Sequence, residues 1–155
     1  MKSLHRLITM LALLCLAPPA LAAAQVGVSN AWIPQAPPGV TMLAGYLTIK
    51  NDGDAPVSIL AAQSDRFRTV SVHQTVIENG VAKMRELNSL EIAAGQEVKF
   101  APGGMHLMLM QPRKDISPGD RIEVTFLLSD GTRVPAIFDV QAAGGAVTEG
   151  HEHHH

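Results

Sequence analysis

Between Val26 and Val140 no clear helical period appears; the apolar residues come in short runs rich in Val, Ile, Leu and Thr, cut apart by Gly, Pro, Asn and Asp. Such runs bury one face each, so the chain is confined to an all-β sandwich or barrel with a single core. Nine runs read as strands: Val26–Ile33, Ala44–Asn51, Val57–Ser64, Thr69–Ile77, Val81–Glu86, Glu97–Ala101, Met105–Gln111, Arg121–Leu128 and Arg133–Val140. Between them stand turn sequences such as Asn51-Asp52-Gly53-Asp54, Glu78-Asn79-Gly80 and Ser129-Asp130-Gly131-Thr132. Pro34 to Val40, with three prolines and a glycine, reads as a loop.

The two ends do not follow this pattern. Residues 1–24 start with Lys2 and Arg6, pass through the apolar run Leu7 to Leu16 and finish in small residues, which is the layout of a secretory signal cleaved near Ala22 to Ala24. The apolar run is too short to span a bilayer. Cys15 follows bulky Leu14 inside that run, which favours a cleaved signal over a lipid-modified cysteine. Removing 24 of the 155 residues leaves 131, enough for one domain, residues 25–141, and a tail, residues 142–155. The expected mature chain has no cysteine, so thiol chemistry and disulfides are excluded and the core alone must hold the fold. Without Lys2 and Arg6 it carries 10 basic and 14 acidic residues, a weak negative balance with no basic cluster, which argues against nucleic acid and anionic membrane as partners. No membrane span is expected after cleavage.

Outside the signal and tail there are only two histidines, His73 and His106. In the run Met105–Gln111, strand alternation sends His106, Met108 and Met110 to one face and Met105, Leu107 and Leu109 to the other. Asn79-Gly80 favours a two-residue type I′ hairpin, and counting back from it sets Thr75 opposite Met84. His73 then lies diagonal to Met84, at about 7–8 Å between backbones. Two neutral imidazoles with two thioethers suit a soft, low-charge cation, Cu(I) rather than Mg²⁺ or Ca²⁺, whereas a blue-copper centre needs a cysteine ligand.

The spacing of His73, Met84, His106 and Met108 is H-x10-M-x21-H-x-M, and it resembles the motif of the periplasmic PCu(A)C copper chaperone family at every position and interval. Ala44 to Asn51 and Gly103 to Met110 resemble the same family; Met105 departs from it, standing where tyrosine is common. The resemblance implies a cupredoxin-like Greek-key sandwich or barrel that binds one Cu(I) through His73, Met84, His106 and Met108. It also implies delivery of copper to respiratory oxidase centres, through a cytochrome c oxidase subunit or a thiol-bearing assembly factor, by a periplasmic monomer. Met110, one step along the same face, and Met105, if a bulge at Gly103-Gly104 turned it, are secondary near-site candidates. Met42, after the proline-rich loop, has two readings, near the site or packed, with packing favoured, and Trp32 is expected to cover a core edge. His151, His153, His154 and His155 form a candidate second metal site that would take Cu(II), which leaves copper buffering or resistance as the alternative function. No nucleophile elbow, phosphate loop, zinc-hydrolase helix or Ser-His-Asp grouping is present in the sequence, so no enzyme activity is expected.

Overall fold

The computed structural model describes residues 25–142; the expected signal and the His-rich tail lie outside the described residues. Ten strands follow one another: β1 (Val26–Pro34), β2 (Met42–Asn51), β3 (Val57–Gln63), β4 (Phe67–Glu78), β5 (Val81–Leu87), β6 (Leu90–Ile92), β7 (Glu97–Phe100), β8 (Met105–Pro112), β9 (Arg121–Leu128) and β10 (Arg133–Gln141). All nine sequence-read strands are present, β9 with the expected ends and the other eight with shifted ends. The three-residue β6 is additional, too short to show a period. β2 starts at Met42 rather than Ala44, with consequences for the outer surface.

The strands close on themselves. Around the ring the order is β4-β8-β7-β2-β1-β10-β9-β3, and the pair Ala62↔Val70 joins β3 back to β4. The result is an eight-strand barrel, all-β and of one domain. Closure leaves no open edge within the ring. Opposite its β1 edge, β2 serves two neighbours: Met42 to Gly45 pair with β8, and Leu47 to Lys50 pair with β7. β1 runs parallel to β10, and β6 adds to β3.

Period-two alternation fills the interior. In β8, Leu107 and Leu109 are fully buried, as are Ile122, Val124 and Phe126 of β9. All four phenylalanines, Phe67, Phe100, Phe126 and Phe138, are in this core, so the bulk of the barrel is hydrocarbon and polar chemistry is left to its rim and outer face. Asn51, wholly buried, is an exception that satisfies itself: its Nδ2 donates to the carbonyls of Ala55 (2.8 Å) and Ile92 (3.1 Å), and its Oδ1 accepts from Gly53 N–H (3.0 Å). It ties the end of β2 to the start of β3 and to β6.

β5 lies outside the ring as the second arm of a hairpin with β4. Asn79 (φ 53°) and Gly80 (φ 77°) are both left-handed, the backbone that a type I′ turn demands. The register follows: Glu78 faces Val81 and Thr75 faces Met84. Glu78 also pairs with Lys83 (2.9 Å) and Arg85 across one face of the hairpin.

Candidate metal centre

The site is built where β5, β4, β8 and β2 lie side by side. The antiparallel register sets His73 of β4 directly opposite His106 of β8, and Ser71 opposite Met108. These side chains leave the outer face of the barrel wall, because their neighbours Val72, Leu107 and Leu109 fill the inside. The two imidazoles stack with centroids 5.9 Å apart and planes 28° from parallel. His106 is buried and His73 nearly so, its side chain 12% exposed, although both stand on the outside. Met84 is 64% exposed on β5, opposite Thr75 and therefore on the face of His73. Sequence reasoning had only local pairs, His73 with Met84 and His106 with Met108; the β4–β8 register joins them.

Each imidazole is oriented through one nitrogen. His106 Nδ1 lies 3.2 Å from the Gly104 carbonyl, which only accepts, so Nδ1 carries the proton and Nε2 keeps its lone pair. The same carbonyl accepts from Thr75 N–H, and Gly103 at φ 78° makes the turn that brings it there. On His73, Nε2 contacts Ser71 Oγ at 2.9 Å and lies 4.0 Å from a Glu86 carboxylate oxygen. A carboxylate favours a proton on the nitrogen nearest to it, which leaves the lone pair on Nδ1. His73 Nδ1 is buried and has no hydrogen-bond partner. Buried polar atoms are seldom left so, and a free lone pair at this atom fits a metal cation as partner.

Ser71 and Glu86 were missed from sequence. The available signal was parity: Ser71 is two residues before His73, and Glu86 two after Met84, each on the same face.

Burial holds His73 below the ordinary imidazole value of 6.5; Glu86 acts in the opposite direction, and His106 adds to the lowering. Its neutral form, the one that binds metal, therefore persists to lower pH than in a free imidazole. The linkage to stability has a definite sign. The unfolded chain takes up a proton that folded His73 resists, so this contribution is complete above pH 6.5 and is lost as pH falls from there through the folded value. Denaturant midpoints of the metal-free protein should decline as pH is lowered from about 7.5 to 5.5. His73→Gln should flatten that decline; an unaltered slope would contradict the assignment.

Among the described residues no three His, Cys, Asp or Glu side chains gather as a metal group. The remaining methionines divide by face. Met105 pairs with Gln74 in an uninterrupted β4–β8 register, no bulge turns it, and it packs against the core; its candidacy as a near-site residue is corrected accordingly. Met110 stands on the histidine face between Thr69 and Met42. Met42, expected to pack, is half exposed instead, because β2 begins two residues early and its alternation sends Met42 outward. Trp32 pairs with Tyr46 on the neighbouring strand, ring centroids 4.9 Å apart. His151, His153, His154 and His155 lie outside the described residues.

Known proteins agree with this architecture. Residues 26–140 match the family model described as "Putative lipoprotein LpqE-like". The "Putative lipoprotein Lxx21020" of Leifsonia xyli subsp. xyli is 36% identical over 122 residues, 78% of this chain and 72% of that protein. "Uncharacterized protein RP573" of Rickettsia prowazekii is 32% identical over 95 residues, 61% of this chain and 52% of its own length. Among solved structures, the copper-bound PCuAC domain from PmoF2 superposes with a TM-score of 0.65 at 22% identity, covering 78% of this chain and 97% of that domain. The Cu(I) form of DR1885 from Deinococcus radiodurans gives a TM-score of 0.60 at 24% identity, covering 79% and 80%. The chain belongs to the LpqE-like family and has the fold of the PCuAC domains.

Proposed function

We propose that this protein is an exported Cu(I)-binding chaperone that holds one ion between His73, Met84, His106 and Met108 and passes it to a copper-accepting protein. The observation that supports this reading most is the stacked pair His73–His106, each ring oriented through one nitrogen, with a buried, unpartnered Nδ1 on His73. Thioether donors favour the reduced, monovalent ion. The copper in the similar PCuAC domain and in DR1885 agrees with it. Met84 on an exposed, outlying hairpin suits release, since an incoming ligand can displace that thioether before the more deeply set imidazoles. Family membership under a lipoprotein description and the signal-like residues 1–24 support export, with the periplasm as the compartment. Among the described residues no helix is long and apolar enough to cross a membrane.

The acceptor in this reading is a respiratory oxidase copper centre. With Cys15 removed, any reduction of acceptor thiols falls to a thiol-bearing assembly partner. The role is binding and transfer, without catalysis. An anaerobic Cu(I) competition titration against a chromogenic chelator tests it, on the chain with and without residues 151–155. One tight equivalent that survives removal of the tail is expected. Loss of all stoichiometric binding with the tail would transfer the metal function to those histidines and favour a copper buffer.

A further inference from the structure

The outer face that carries His106 and Met108 continues past them. Met110 is two residues beyond Met108 on β8, about 6.7 Å along the strand and on the same side. Met42 of β2 is its direct antiparallel partner. Side chains directly opposite each other have Cβ atoms about 4.5–5.5 Å apart, so two flexible thioethers can meet on one ion. The neighbours leave them room: Ala44 and Ser71 flank Met108, and Thr69 flanks Met110 on the side away from Met42. Met42 is 50% exposed, and neither Met110 nor Met108 belongs to the residues packed on the core, whereas Met105 does. Filling core space, the usual employment of methionine, therefore does not account for this pair.

We propose that Met42 and Met110 form a second, weaker site for a soft monovalent cation, beside the His/Met centre, between which the ion steps by exchange of thioethers through Met108. The inference rests on the Cu(I) reading of the first centre and adds a site to it. With sulfur donors only and no imidazole, the pair neither competes with protons nor outbids the first centre, so it fills second. Nothing is oxidised or reduced in the step; one thioether leaves the cation as another joins.

The test uses the chain from Gln25 to His155, labelled at its methionine methyl groups, titrated with Ag(I) as a redox-silent soft cation and followed by NMR. The first equivalent should shift the methyls of Met84 and Met108, the second those of Met42 and Met110, with core-facing Met105 unmoved throughout. Met42→Leu, a nearly volume-conserving change at a half-exposed position, should abolish the second event and leave the first intact. Silent Met42 and Met110 methyls, or a second event that survives Met42→Leu, would overturn the auxiliary site while the first centre stands. Silence at Met84 and Met108 as well would overturn the first centre and the proposal with it.

Discussion

Replacing His106 with alanine should weaken Cu(I) binding by more than about 100-fold in an anaerobic competition titration, because groups that merely orient a ligand already cost about 10–100-fold when lost. His106 is the most deeply set of the four proposed ligands, and its Nδ1–H is already committed to the Gly104 carbonyl. That hydrogen bond fixes where Nε2 points before any metal arrives, so the site loses a preorganised donor rather than a mobile one. Met108→Leu should give a comparable loss of affinity with little change in stability, since the exchange conserves volume and Met108 lies off the packed core. Far-ultraviolet circular dichroism and a denaturation curve would verify that both variants fold. Parental affinity in both would remove His106 and Met108 from the site.

The second large effect is expected one residue away and of the opposite kind. Leu107 stands between His106 and Met108 but points inward, fully buried in the barrel. Leu107→Ala should cost about 2–5 kcal/mol, through lost transfer energy and a cavity among well-packed neighbours. Small domains have about 5–15 kcal/mol in all, so the variant should unfold at visibly lower denaturant. The fraction that remains folded should still bind Cu(I) with nearly parental affinity, because the outer face is untouched. Strong loss of affinity in the folded fraction would mean that the two faces of β8 are not separable.

That separation was legible from the run Met105–Gln111, where alternation alone divides hydrocarbon from nitrogen and sulfur. The β4–β5 hairpin was legible for a different reason: Asn79-Gly80 selects one turn type, and the turn sets the register from Glu78↔Val81 back to Thr75↔Met84. What joins the two pairs was not legible from local pattern. His73 and His106 are 33 residues apart, and their pairing depends on how the whole barrel closes, which no nearby residue encodes. The four-residue spacing carried that information only through resemblance to a family.

Other misreadings have local causes. Met42 follows a proline-rich loop and precedes the recognisable part of its strand, so its outward direction depended on where β2 begins. Leu90–Ile92 is too short to display alternation. Ser71 and Glu86 are ordinary polar residues in sequence. They gain a role only when Nε2 of His73 is found beside them, and the unpartnered Nδ1 is left facing away from both.

The central claim is the donor set, and X-ray absorption at the copper edge of the anaerobic one-to-one Cu(I) complex tests it most directly. Two nitrogen and two sulfur scatterers are expected, with the sulfur contribution falling in Met84→Leu and Met108→Leu. A shell of nitrogen alone, unaltered in both variants, would contradict the account.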